Sequence, residues 1–287
     1  MRIFCFFVSL LGFLNITNAQ YKHDYVWLVG DPITQPSVYN GVSVLNFNGD
    51  SLHITKQWDG TWFFLTNVSM SDYDGNLLFY SDGCSVFNSN NILMENGNQL
   101  NPGYAYLSGN CPEGGNFIPK GMISLQLPDD ISKYYLFHMA PEHGMPGDFD
   151  VFVGKFYYTI VDMNENNGMG KVIEKNHVIV NDTMFADLHA VKHSNGQDWW
   201  VVFSKAHRNT FFKILFTTNG VDTVLTQEVG IDPDRASSGG GQSCFSPDGT
   251  KYARMNKKDQ VTLFDFDRAT GELSNFQQII ADTQAFW

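Results

Sequence analysis

His138, Glu142, His143 and Asp148 fall within one short stretch that is punctuated by Pro141, Gly144, Pro146 and Gly147. Imidazoles and carboxylates brought this close suit contact with a polar ligand. A loop on a rigid scaffold carries such contacts more often than the scaffold does, so these four residues are the expected binding positions. Other groupings offer less. His189 and His193 have the i, i+4 spacing of helical zinc ligands, but an Asn-Gly pair follows at Asn195-Gly196 and places them on a strand. At about 3.3 Å per residue the two rings would stand roughly 13 Å apart, too far to share an ion. Asp72-Tyr73-Asp74-Gly75-Asn76 lacks the ligand spacing and the closing glutamate of a calcium loop. Asp148 and Asp150 lie two apart and would face the same way on a strand, but no acid–base partner accompanies them. The Ser- and Gly-rich run at 237–243 lacks the Lys-Ser/Thr ending of a phosphate loop. No nucleophile, base and orienting group can be read as a trio. The expectation is a chain without catalytic residues, metal or cofactor.

The elements that would position these residues are strands. Short runs rich in Tyr, Phe, Trp, Val and Ile alternate with Asn-Gly and Asp-Gly, residues that tolerate the positive φ of tight hairpin turns. The turns keep a beat. Asp74-Gly75, Asn195-Gly196 and Asp248-Gly249 are each followed, after two apolar strands, by a second turn at Asn96-Gly97, Asn219-Gly220 and Thr270-Gly271. A fourth unit starts at Asp129-Asp130 and turns at Asn167-Gly168, so leading turns fall near 74, 130, 195 and 248. A period of about 40–50 residues or a little more, with four strands per unit, is the signature of a β-propeller, whose blades cover one another's faces. The predicted fold is all-β, a propeller of four-stranded blades with about five units visible. The next leading turn is due near residue 300 and the chain stops at Trp287, so the propeller is expected to be incomplete at its C-terminus. Gly75, Asp82, Gly83, Gly97, Gly196, Asp248 and Gly249 are expected to serve these turns.

The first nineteen residues read differently. Arg2 is followed by a run of twelve mostly apolar residues, Ile3 to Leu14, and then by Asn15-Ile16-Thr17-Asn18-Ala19. That run is too short to span a bilayer, which takes about 20 residues, and it has the charge, apolar core and small-residue ending of a secretory signal. Residues 1–19 are therefore expected to be a signal peptide and 20–287 the propeller domain, with no transmembrane segment in the mature chain. Removing Arg2 takes the net charge from −12 to −13. So acidic a chain has no electrostatic footprint for nucleic acid. Cleavage also removes Cys5 and leaves Cys84, Cys111 and Cys244, which allow one bridge and one free thiol; the pairing stays open.

Gly75-Asn76-Leu77-Leu78-Phe79-Tyr80-Ser81-Asp82-Gly83 resembles a core motif of the large secreted propeller proteins of gliding-type bacteria that use type IX secretion. Val86-Phe87-Asn88, Met94-Glu95-Asn96-Gly97, Lys133-Tyr134-Tyr135-Leu136-Phe137, His193-Ser194-Asn195-Gly196-Gln197-Asp198-Trp199-Trp200 and Phe245-Ser246-Pro247-Asp248-Gly249 follow in the family's order. The resemblance covers nearly all of residues 25–280. It implies an extracellular propeller module, often followed by immunoglobulin-like repeats and a sorting domain, and it implies no established catalytic residues. The expected function is that of a non-catalytic secreted or cell-surface module binding protein or glycan partners. The alternative is a propeller-fold carbohydrate-active enzyme, a hydrolase or lyase, with its site at the central channel.

Overall fold

The structure is a computed structural model that describes residues 22–31, 41–57, 63, 65–108, 111, 115–143, 151–233, 241–256 and 260–279. The expected signal peptide lies outside these residues. Within them the chain is all-β, with one short helix, α1 (Tyr104–Leu107), and a 3-10 turn. The strands form five antiparallel sheets, each in chain order. Sheet one holds β1 (Val26–Asp31), β2 (Gly41–Asn46) and β3 (His53–Gln57). Sheet two holds β4 (Val68–Ser71), β5 (Leu77–Ser81) and β6 (Val86–Asn88). Sheet three holds β7 (Met122–Gln126), β8 (Lys133–His143), β9 (Val151–Asp162) and β10 (Lys171–Met184). Sheet four holds β11 (His189–Lys192), β12 (Trp199–Ser204), β13 (Thr210–Thr217) and β14 (Gly220–Glu228). Sheet five holds β15 (Gly241–Phe245), β16 (Lys251–Asn256), β17 (Gln260–Asp267) and β18 (Glu272–Ile279).

The leading turns join the first strand to the second in sheets two to five, and side-chain oxygens hold them. Asp72 Oδ1 accepts the N–H groups of Asp74 and Asn76, Asn195 Oδ1 those of Gln197 and Asp198, and Asp248 Oδ1 that of Thr250. This is how Asp and Asn favour turns over continued strands. Gly249 adds a steric demand: at φ +72° a Cβ there would meet Val191 at 2.7 Å. Asp82 is fully buried and its Oδ1 accepts the N–H groups of Cys84 and Ser85. At Asn96-Gly97 the left-handed residue is Asn96, at φ 59°. Gly97 serves close approach instead, since a Cβ would sit 2.8 Å from the Val86 carbonyl oxygen.

Side chains alternate faces along a strand, and in the inner sheets both faces are buried. In β12, Val201 and Phe203 pack against Phe137 and Phe156 of sheet three, while Trp200 and Val202 pack with Tyr252 and Phe264 of sheet five. In β5, Phe79 packs with Tyr134 and Leu136 of sheet three, and Tyr80 with Val26, Leu28 and Val42 of sheet one. The five sheets thus pack serially, each against the next in the chain. On the far face of sheet one, Trp27, Leu45 and Ile54 stand in register, with Trp27 and Ile54 exposed. On the far face of sheet five, Met255, Val261 and Ile279 do the same, with Met255 and Ile279 exposed. The first strands of neighbouring sheets also touch, β1 against β4, β4 against β7 and β11 against β15.

Candidate functional site

The first half of the stretch expected to form a contact loop is strand, and residues 144–148 lie outside the described residues. Residues 139–143 continue β8, and the ladder to β9 shifts register between Ala140 and Pro141, so proline sits where pairing is already interrupted. His138 is fully buried, its ring stacked on Tyr157, with Nδ1 2.7 Å from Asn101 Oδ1 and Nε2 2.9 Å from Thr159 Oγ1. It is a partnered core histidine. Glu142 is exposed and pairs with Phe152 across the ladder. His143 ends β8, its side chain lies outside the described set, and Asp148 lies outside the described residues altogether. Of the four, only His138 and Glu142 have described side chains, one buried and the other exposed. His189 lies on β11 as expected and His193 just beyond it, and no metal-holding group of three or more His, Cys, Asp or Glu occurs among the described residues.

Burial pushes the His138 imidazole down to about 3. The unfolded chain takes up that proton near pH 6.5 while the folded chain does not. Stability from His138 is therefore complete above pH 6.5 and is lost as pH falls, at about 1.4 kcal/mol per pH unit down to about pH 3. Urea unfolding should show a loss of about 2 kcal/mol between pH 7 and pH 5, and His138→Gln should flatten that slope. An unchanged slope in the variant would assign the proton uptake elsewhere.

The described residues do form a cavity, at the leading-turn end of sheets two, three and four, of about 910 Å3. The segment before β1 lends His23, whose Nδ1 lies 2.7 Å from the Ser71 carbonyl oxygen and whose Nε2 lies 3.0 Å from Gln126 Oε1. Tyr73 from the sheet-two turn donates its hydroxyl to the same Gln126 oxygen at 3.1 Å. Across the cavity, Lys192 Nζ sits 4.1 Å over the Trp199 ring and donates to the Gln197 carbonyl, and Gln197 Nε2 reaches Asp129 Oδ2. Burial lowers the Lys192 pKa, against an opposing pull from Asp198. Ser124 also lines the wall, and its hydroxyl is buried with no hydrogen-bond partner. Such an orphan hydroxyl costs free energy unless something in the cavity satisfies it. The site combines aromatic surface with amide, carboxylate and hydroxyl groups, the composition of a pocket for a small polar molecule.

The opposite end of the sheets carries a second polar group. Asp187, fully buried just before β11, accepts the Ser204 N–H on Oδ1 and the Ser204 hydroxyl on Oδ2. Arg254 Nε lies 2.7 Å from the same Oδ2, as an ion pair without an aligned hydrogen bond. Neither residue belongs to a motif, and only the fold brings β16 to the segment ahead of β11.

No protein-family profile matches this chain, and no curated protein does. Among solved structures, a 6-phosphogluconolactonase-like protein of Bacteroides fragilis NCTC 9343 aligns over 83% of this chain and 64% of its own, at 16% identity and a TM-score of 0.42. A similar protein of Bacteroides uniformis ATCC 8492 aligns over 88% and 67%, at 13% identity and a TM-score of 0.42. A triple-arginine mutant of AofleA from Arthrobotrys oligospora aligns over 90% and 88%, at 9% identity and a TM-score of 0.30. This chain therefore spans about two thirds of the length of the two Bacteroides proteins.

Proposed function

We propose that this chain is an exported β-propeller module, without catalysis of its own, that binds a glycan or the polar surface of a protein partner in the turn-end cavity. The propeller reading is supported by five meandering sheets packed in chain order, with first strands of neighbouring sheets in contact. Export is supported by the N-terminal sequence and by the disulfide between Cys84 and Cys111, a bond that persists in oxidising compartments. Among the described residues no helix is long and apolar enough to cross a membrane. The relationship to type IX-secreted surface proteins belongs to the same proposal.

The observation that carries the binding reading is the unpartnered Ser124 hydroxyl in the cavity wall. Ser124→Ala removes a buried hydroxyl that has no internal hydrogen bond, so stability should hold or rise, by about 1 kcal/mol. Affinity for a ligand found on a glycan array should fall roughly tenfold, the worth of one hydrogen bond. Unchanged affinity for that ligand in the variant would remove the cavity from its binding. The catalytic alternative draws on the charged side chains at the far end of the first strands. Turnover of a polysaccharide by the purified protein would establish it and overturn the non-catalytic reading.

A further inference from the structure

The first strands of sheets three, four and five start close to one another, and charged side chains gather there. Lys120, just ahead of β7, donates from Nζ to the Ser243 carbonyl of β15 at 2.6 Å, reaching from sheet three to sheet five. Ser243 donates its hydroxyl to the Asp187 carbonyl at 2.6 Å, and its partner across the β15–β16 ladder is Arg254. Both cations therefore converge on Ser243 and Asp187. The Arg254 guanidinium lies 4.6 Å over the Phe185 ring and against the Asp187 carboxylate, which fixes its plane from two sides.

Arg254 is only 6% exposed, and its Nη2 has no hydrogen-bond partner. A guanidinium offers five donors in a rigid fork. Asp187 has already committed both oxygens to Ser204 and takes only the Nε side of the fork. An orphan donor of this kind calls for an acceptor. Lys120 uses one of its three donors on Ser243, and the neighbouring His189 imidazole is held toward its neutral form by burial and by the Lys120 charge. Lys120 and Arg254 against Asp187 leave one net positive charge inside a chain whose overall charge is −12. Local positive potential in an acidic protein favours an anion, and Nη2 is left as a donor for one of its oxygens.

We propose that Arg254 and Lys120 form a binding site for a small oxyanion, a carboxylate or a phosphate, at the strand-start end of sheets three to five. Asp187 and Phe185 are positioning residues that aim the guanidinium. The site is independent of the turn-end cavity, and its failure would leave that proposal standing.

Isothermal titration of the purified chain at fixed ionic strength would use inorganic phosphate, glucuronate and neutral glucose as probes. The expected result is saturable binding of at least one oxyanion and none of glucose. Lys120→Gln should weaken that binding tenfold or more. Arg254→Lys, which keeps a cation opposite Asp187 and removes the fork, should weaken it by a similar factor. Tighter binding of phosphate would indicate a phosphorylated ligand, and tighter binding of glucuronate a sugar acid; either supports the site. The proposal is overturned if neither oxyanion binds at millimolar concentration, or if binding is unchanged in Lys120→Gln. Lys120 is half-buried at a strand start, so that variant decides the matter even if Arg254→Lys does not fold.

Discussion

Replacing Asp187 by alanine will lower the unfolding free energy by about 3–5 kcal/mol, because it leaves the Arg254 guanidinium buried without its counter-charge. It also strips Ser204 of the acceptor for its N–H and its hydroxyl. In a domain of this size that corresponds to a fall of roughly 6–20 °C in Tm, readable by calorimetry. The double variant Asp187→Ala, Arg254→Met should recover most of the loss. Replacing a buried ion pair by apolar residues is often close to neutral, and a methionine would lie on the Phe185 ring where the guanidinium lies now. If the single variant costs under about 1 kcal/mol, the pair behaves as an exposed one and the buried-cluster reading fails.

Removing the Cys84–Cys111 disulfide should cost about 3–4 kcal/mol. The bond joins residues 27 apart, and closing a loop of that length removes conformational entropy from the unfolded chain. Both sulfurs are buried, in a small cluster with Ala105 of α1 and Tyr106 packed beside it. Tyr106 also donates its hydroxyl to the Cys84 carbonyl. The expected result is a Tm depressed by about 6–16 °C in Cys84→Ala, Cys111→Ala, and by a similar amount when the wild-type protein is fully reduced. Equal Tm values with and without reductant would show that this segment contributes nothing to cooperative unfolding.

Much of this architecture was legible in the chain because turns are local. Asp74-Gly75, Asn195-Gly196 and Asp248-Gly249 each hold their strands with bonds that span two to five residues. The four-strand unit appears in sheets three, four and five, whereas sheets one and two show three strands each among the described residues. The reason in sheet two lies at Asn96-Gly97. Residues 92–97 fold back on β6, with the Asn88 N–H donating to Ile92 and the Met94 N–H to Val86, and the chain then runs to α1 and the disulfide.

His138 lies in the core for a readable reason. It sits inside the near-continuous apolar run Tyr134 to Ala140, buried on both faces of β8, a core-strand signal that a nearby cluster of polar residues and prolines masked. The cavity and the charged cluster had no such signal. Gln126 meets His23 across 103 residues, and Lys120 meets Ser243 across 123. Contacts at that range exist only once the sheets have stacked.

The serial stacking has its own consequence for how damage spreads. Each inner sheet packs its two faces against different neighbours, so the described sheets behave as a row of coupled units with nearest-neighbour terms. A defect in sheet four loosens two described interfaces at once, those with sheets three and five.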